Sequence, residues 1–144
     1  MLKNISPLLT PDLLYLLRAM GHGDQIVIVD ANYPGTSADL EMVRLDSASA
    51  TEVLDAILTL MPLDTFVDDP AICMQVVGDP KARPPIFDEF DKVIAKHEKN
   101  MKVTTLERHA FYERAKTGYA LVQTGERRFY GNIILKKGVV PPDA

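Results

Sequence analysis

The segment QIVIVDA, residues 25 to 31, restricts the possible folds of this chain more than any other segment. It is too short for a typical helix, its centre is β-branched, and polar residues do not alternate with apolar ones. Such a strand is covered on both faces, as in a sheet with helices on its two sides. The segment AICMQVV, residues 71 to 77, has the same character. Together they predict a layered α/β fold.

Helices are predicted before, between and after these strands. Thr10 and Pro11 are typical of an N-cap and a first helical position, and Ser49 and Glu52 have the spacing of a capping box. A third helix is predicted after the proline-rich start of DPKARPPIFDEFDKVIAKHEKN. The remaining predicted elements are the strands MKVTTLE, YALVQTG and RFYGNIILKKG and the short helix RHAFYERAKTG. The last two strands are predicted to form a hairpin-like pair around a turn at 124 to 126.

Length and charge limit the classes of protein that fit. A chain of 144 residues predicts one domain, residues 1–144. The net charge of -4, without a basic run, argues against nucleic acid and anionic membranes as partners. No window approaches the length of a membrane span, and no secretory signal is evident. The single cysteine, Cys73, is expected to be buried, which favours a cytoplasmic location.

The three histidines differ in their surroundings. His22 stands in the motif GHGD, where the flanking glycines permit a positive φ and a close approach to the ring. The motif is also compatible with a helix C-cap at Gly21 followed by a surface turn. His97, at the charged end of a helix, is expected to be solvated. His109, at the start of a short helix, is expected to be exposed or to cap that helix.

Other polar residues follow predicted elements. Asp30 lies at the carboxyl end of a strand, where open α/β sheets bind ligands, although it could equally cap the next turn. Arg108 lies at an element boundary, from which a guanidinium could bind ligand hydroxyl groups or solvent. Tyr130 and Asn132 flank Gly131, which could admit a ligand to the backbone or mark a β-bulge.

Cofactor and metal motifs are absent from the sequence. His22, Asp24 and Asp30 could form a metal site, but no HxxxH or CxxC motif or carboxylate cluster supports one. A phosphate-binding loop, a dinucleotide fingerprint and a GxSxG motif are also missing. We therefore expect no cofactor and no metal.

Two segments of the chain resemble a known family. LLRAMGHGDQIVIVDANYP and ERHAFYERAKTGYALVQTGERRFYGNIILKKGV are similar to the L-fucose mutarotase branch of the family that also contains the D-ribose pyranases. The resemblance extends from LKNISPLLTPDLL to LKKGV and is weaker between residues 38 and 102. One departure is His109, where an apolar aromatic residue is expected.

This resemblance implies a Rossmann-like α/β fold and a cofactor-independent isomerase of fucose metabolism. It implies that the chain binds a monosaccharide and forms homo-oligomers, either pentamers or decamers. In this family the histidine of the GHGD loop is the catalytic acid/base, which corresponds to His22. The residues that match substrate-binding positions are Asp30, Arg108, Tyr130, Gly131 and Asn132.

The expected activity is the interconversion of the α and β anomers of L-fucose by ring opening and closing. Imidazole can give or take a proton near neutral pH. A D-ribose pyranase activity is the nearest alternative, but the FYERA segment and the glycine of YGN favour the fucose branch. A non-catalytic monosaccharide-binding protein is a second alternative. The retention of His22 argues against it, because binding alone does not require an acid/base.

Overall fold

A computed structural model describes all 144 residues of the chain. Helices and strands alternate, which confirms the predicted α/β class. The helices are α1 Pro11–Ala19, α2 Ala50–Leu58, α3 Pro85–His97 and α4 Arg108–Ala115, with a 3₁₀ turn at Thr36–Ala38. The strands are β1 Gln25–Val29, β2 Glu41–Leu45, β3 Ala71–Met74, β4 Thr104–Leu106, β5 Ala120–Thr124 and β6 Ile133–Lys136.

The six strands form one mixed sheet in the order β2-β5-β1-β6-β3-β4. Strand β1 pairs in parallel with β5, β5 with β2, and β3 with β4. Only β6 runs the other way, between β1 and β3. The carboxyl ends of β1, β3 and β4 therefore lie at the same edge of the sheet, together with the residues that precede β6.

Strand β1 is covered on both faces, as its sequence predicts. Ile26 and Ile28 are buried in the larger core, which also contains the apolar residues of α1, α2 and α3. Val27 and Val29 point to the other face and belong to a smaller core with Phe111 of α4. The sheet is thus the middle layer of the fold. No helix of the structure is long and apolar enough to cross a bilayer.

The predicted helix starts are confirmed by their hydrogen bonds. Thr10 Oγ1 accepts a hydrogen bond from Leu13 N at 3.3 Å, and Pro11 is the first residue of α1. Ser49 and Glu52 form a reciprocal capping box, with distances of 3.2 and 2.8 Å. These caps satisfy amide groups that have no partner inside the helix.

The predicted hairpin of the last two strands is wrong. Both edges of β5 are occupied, by β1 and β2, so β6 pairs with β1 and β3 instead. The segment predicted as one strand from residue 128 is a loop up to Asn132 and a strand only from Ile133. Strand β2 is absent from the sequence prediction, because only Val43 of its five residues is buried.

The environments of His97 and Cys73 can be compared with those expected from the sequence. His97 is not solvated, since its Nε2 lies 2.7 Å from Asp55 Oδ1 and links α3 to α2. Its side chain is only 20% exposed because the helices pack closely at this point. Cys73 is buried in β3, as expected from its apolar neighbours.

Candidate functional site

A cavity of about 330 Å³ opens at the carboxyl ends of β1, β3 and β4. Its size lies at the lower end of the range for small-molecule pockets. Side chains that can form hydrogen bonds share it with apolar ones. The lining residues are Asp30, Asn32, Tyr33, Met74, Val77, Arg108, Tyr112, Phe129, Tyr130 and Asn132.

Asp30 is the buried acid of this cavity, with only 5% of its surface exposed. Its Oδ1 accepts a hydrogen bond from Asn32 N at 2.9 Å, and its Oδ2 accepts one from Asn132 Nδ2 at 3.1 Å. Asn132 Oδ1 in turn accepts from Asp30 N at 2.8 Å, so β1 and the start of β6 hold the carboxylate from two sides. Asp30 therefore caps the next turn and also faces the cavity, which combines both interpretations of its position.

Burial controls the protonation of two groups here. It raises the pKa of Asp30 above its usual value, and the amide of Asn32 and the side chain of Asn132 oppose that shift. It also raises the pKa of Tyr33 to about 12. A neutral Tyr33 hydroxyl remains a hydrogen-bond donor. The Tyr33 and Tyr112 rings lie 5.4 Å apart and form an aromatic wall.

Arg108 reaches the cavity from the start of a helix, and Tyr130 reaches it from a loop. Arg108 is the first residue of α4 and is exposed, which leaves its guanidinium accessible to a ligand. Tyr130 has a positive φ of 63°, and its hydroxyl accepts a hydrogen bond from Val77 N at 3.1 Å. This bond fixes the Tyr130 ring across the cavity.

Gly131 does not line the cavity. A Cβ at this residue would lie 2.7 Å from Glu126 Cγ and 3.1 Å from Ile86 Cδ1. Gly131 also precedes β6 and is not part of a strand, so it marks no β-bulge. Its small size lets Tyr130 and Asn132 pass the Glu126 side chain, and its place among substrate-binding residues stays a prediction.

His22 lies at the opposite end of β1 from Asp30. It precedes the strand, Asp30 follows it, and five strand residues span about 17 Å. His22 Nε2 is 3.1 Å from Asp64 Oδ1, and the ring packs on Phe66 with a centroid distance of 5.5 Å. The His22 side chain is 46% exposed, whereas that of Asp64 is 4% exposed. An accessible imidazole is thus paired with a buried carboxylate.

Asp64 is also held by a backbone amide of its own loop. Its Oδ1 accepts a hydrogen bond from Phe66 N at 3.0 Å. This amide, together with the hydrogen bond to His22, holds the pKa of Asp64 below its usual value, although burial opposes the shift. The sequence analysis missed Asp64, because it lies 42 residues from His22 and no spacing rule connects them.

The glycines around His22 serve different purposes. Helix α1 ends at Ala19 with Met20 as C-cap, and Gly21, the next residue, lacks the positive φ of a left-handed cap. Gly23 has the positive φ, 87°, and a Cβ there would meet nothing within 4 Å. The chain is therefore open at Gly23, the residue after His22.

The structure divides the predicted site residues into two groups. Asp30, Arg108, Tyr130 and Asn132 meet at the cavity, while His22 is at the other edge of the sheet. The alternative metal site is not assembled, since Asp30 is far from His22 and Asp24, and Asp24 Oδ2 accepts from Gly21 N at 2.7 Å. His109 lies beside the cavity in a neighbouring depression that also contains Arg108.

Comparison with known proteins identifies the family. The model of the RbsD / FucU transport protein family matches residues 3–140. This chain belongs to the RbsD / FucU family. The fucose mutarotase of Danio rerio is 43% identical over 148 residues, which cover 99% of this chain and 96% of that protein. The L-fucose mutarotase of Histophilus somni is 43% identical and covers 98% of this chain and 99% of that protein.

A solved structure of the RbsD / FucU family supports the same assignment of fold. The fucose mutarotase of Streptococcus pneumoniae in complex with L-fucose superposes with a TM-score of 0.91 and is 48% identical. The match covers 97% of this chain and 100% of that chain. The predicted family resemblance and fold are therefore confirmed.

Proposed function

We propose that this chain is a cofactor-independent isomerase that interconverts the α and β anomers of L-fucose. The cavity at the carboxyl ends of β1, β3 and β4 carries this proposal, because its size suits a small polar ligand. Relatives that align along almost the whole chain are named fucose mutarotases. The fucose ring would bind in this cavity.

The polar and apolar groups of the cavity fit the two sides of a deoxy sugar. Asp30 has free lone pairs for sugar hydroxyl groups, and the Arg108 guanidinium can donate to them. Met74, Val77 and Phe129 present carbon surface to the methyl group that L-fucose carries in place of a hydroxymethyl group. An apolar contact of this size discriminates by about 1–3 kcal/mol, so the sugar preference should be graded.

The reaction requires only proton transfers. A base takes the proton from the anomeric hydroxyl, the bond between C1 and the ring oxygen breaks, and an acid protonates that oxygen. The C1–C2 bond of the open aldehyde rotates, and the hydroxyl formed from the ring oxygen attacks the other face of the carbonyl, returning its proton to the acid while the base gives its proton back to the carbonyl oxygen. His22 is the proposed acid/base, and Asp64 holds its ring through Nε2 and stabilises the protonated form.

A neighbouring copy supplies His22 in this proposal. Within one chain His22 and Asp30 lie at opposite ends of β1, so the imidazole of the same chain cannot reach a sugar in the cavity. A homo-oligomer, a pentamer or decamer as the family resemblance implies, brings the exposed His22 of one copy to the cavity of the next. Each copy would be one domain, residues 1–144, acting in the cytoplasm on a sugar of fucose metabolism.

The activity is tested by following anomer exchange with NMR, with the uncatalysed rate subtracted. L-fucose should exchange fastest, L-galactose more slowly and D-ribose most slowly at matched concentrations. Faster exchange of D-ribose than of L-fucose would contradict the fucose assignment. If no sugar exchanges, the chain is a binding protein.

The shared site is tested by mixing two variants that are both slow at sugar concentrations well below saturation. His22→Ala retains an intact cavity, and Asp30→Ala retains an intact histidine. When copies of the two are unfolded and reassembled together, some sites pair an intact histidine with an intact cavity, and activity returns. A mixture as inactive as its components, or an active monomer in light scattering, would refute the shared site.

A further inference from the structure

The last residue of β6 and the two residues after it, 136 to 138, lie between the loop of His22 and the loop of Asp64. On one side, Asp64 N donates to Lys136 O at 3.0 Å, and Gly138 N donates to Pro62 O at 2.8 Å. A Cβ at Gly138 would overlap Leu63 O, so the contact on this side is close. The segment therefore fixes the loop that carries the carboxylate.

On the other side, Lys137 is bound to the histidine loop through its backbone. Gly23 N donates to Lys137 O at 2.8 Å, and Lys137 N donates to Asp24 O at 2.8 Å. These are the two residues that follow His22. Lys137 thus contacts the loop of His22, and its neighbours Lys136 and Gly138 contact the loop of Asp64.

The Lys137 side chain holds the histidine loop at its other end. Its Nζ donates to Leu17 O at 2.8 Å and to Met20 O at 2.5 Å. These carbonyl groups belong to the end of α1, where the last carbonyl groups of a helix have no amide donor within the helix. Lys137 therefore fixes the chain before His22 with its side chain and the chain after His22 with its backbone.

We propose that Lys137 is a positioning residue for His22, which keeps the imidazole within hydrogen-bond distance of Asp64. The inference depends on the proposed role of His22. Helix α1 does not need Lys137 for its own stability, since Thr10 caps its start and Leu13 and Leu17 are buried in the core. The ammonium group matters for the loop, which is exposed and contains two glycines.

The test replaces Lys137 by methionine, which keeps the length of the side chain and removes its donors. We expect kcat for L-fucose exchange to fall about 10- to 100-fold, because small displacements of a reacting group are costly. The dissociation constant of L-fucose should change less than twofold, because the cavity is at the far end of β1. The ¹⁵N resonances of the His22 ring should shift when the Asp64 contact loosens.

Two further variants complete the test. Lys137→Arg retains a charged donor and should recover kcat to within about threefold of the unmodified protein. Lys116→Met removes an exposed lysine of the surface and should change neither rate nor spectrum. A Lys137→Met protein with an unchanged kcat and unchanged His22 resonances overturns the inference. Equal loss of kcat in the Met and Arg variants also overturns it, because the donors would then be irrelevant.

Other outcomes are equally decisive. If Lys137→Met does not fold, Lys137→Arg is compared with Lys137→Gln, whose side chain is shorter. A slower Gln variant with unchanged L-fucose binding supports the inference, and equal kcat values overturn it. If His22→Ala itself exchanges L-fucose at the normal rate, the proposed function fails. Loss of activity in His22→Ala with normal activity in Lys137→Met refutes only the role of Lys137.

Discussion

The two ends of β1 carry polar groups of opposite character. At the carboxyl end, Asp30 is 5% exposed and is held by Asn32 and Asn132. At the amino end, His22 is 46% exposed and contacts one carboxylate and one aromatic ring. The buried group is fixed by backbone and side-chain hydrogen bonds, whereas the exposed group depends on its loop.

This difference matches the two different tasks proposed for these groups. A group that recognises a sugar benefits from a fixed orientation, because ordering it on binding costs free energy. A group that transfers a proton must reach a ligand bound elsewhere, so it cannot be enclosed by its own chain. The comparison predicts that substitutions at the two ends of β1 separate turnover from binding.

The largest effect is expected for His22→Ala. L-fucose exchange should slow about 10²- to 10⁴-fold, the usual contribution of a positioned acid/base. Binding of L-fucose should hardly change, because the cavity residues at the other end of β1 are intact, whereas the melting temperature should fall, because the buried Asp64 loses a hydrogen-bond partner. Anomer exchange by NMR and calorimetric binding measure the two quantities. Lys116→Ala, at an exposed residue outside both the cavity and the His22 loop, is the control, and equal exchange rates in the two variants would contradict the role of His22.

A smaller effect of the opposite kind is expected at Asp30. Asp30→Asn keeps the size of the side chain but removes its charge and half of its acceptor capacity. We expect the L-fucose dissociation constant to rise about 10- to 100-fold, the usual range for a hydrogen bond to a charged group. The rate at saturating sugar should fall less than tenfold. Asp39→Asn, at an exposed residue with a left-handed backbone, is the control. A variant that binds normally and turns over slowly would place Asp30 in catalysis instead.

The sequence predicts which residues lie at the two ends of β1, but it does not predict which distant residues they contact. The unbroken apolar run of β1 indicates a strand covered on both faces, and Asp30 follows it directly, so its position at a ligand-binding edge can be inferred. GHGD likewise indicates an open loop. Local patterns of this kind depend on residues that are neighbours in the chain.

Contacts between distant segments could not be predicted in this way. Asp64 reaches His22 only because β6 lies between β1 and β3, so that the segment after β6 borders both loops. The hairpin prediction placed β6 beside β5, so the position of β6 between β1 and β3 was not predicted. The TGE turn resembles a hairpin connection, but the sequence does not show that both edges of β5 are already paired.

A further prediction concerns Asp64, whose substitution should affect stability more than binding. The pKa of Asp64 is lowered in the folded protein by the amide of Phe66 and by His22, so the fold favours the ionised carboxylate. That contribution is complete above the ordinary value of 3.8 and disappears as the pH falls through the lower folded pKa. Asp64→Asn should therefore reduce the free energy of unfolding by about 1–3 kcal/mol at pH 7.

The difference between Asp64→Asn and the unmodified protein should shrink on acidification and vanish in strong acid. Urea denaturation at several pH values between 7 and 3 measures it. Asp68→Asn, at an exposed residue, provides the baseline for losing a surface carboxylate. A difference that is constant with pH would show that shape rather than charge determines the role of Asp64.

The smallest expected effect is that of chelation, which should leave L-fucose exchange unchanged. The candidate ligands are already divided between the two ends of β1, since Asp30 is bound by Asn32 and Asn132 while Asp24 accepts from Gly21 N. His22 Nε2 faces Asp64, and the proposed proton transfers need no Lewis acid. Exchange rates are compared before and after extended dialysis against a chelator, with the His22→Ala protein as the inactive reference. Loss of exchange that a divalent ion restores would mean that one end of β1 binds a metal, and the assignment of proton transfer to His22 and Asp64 alone would then be wrong.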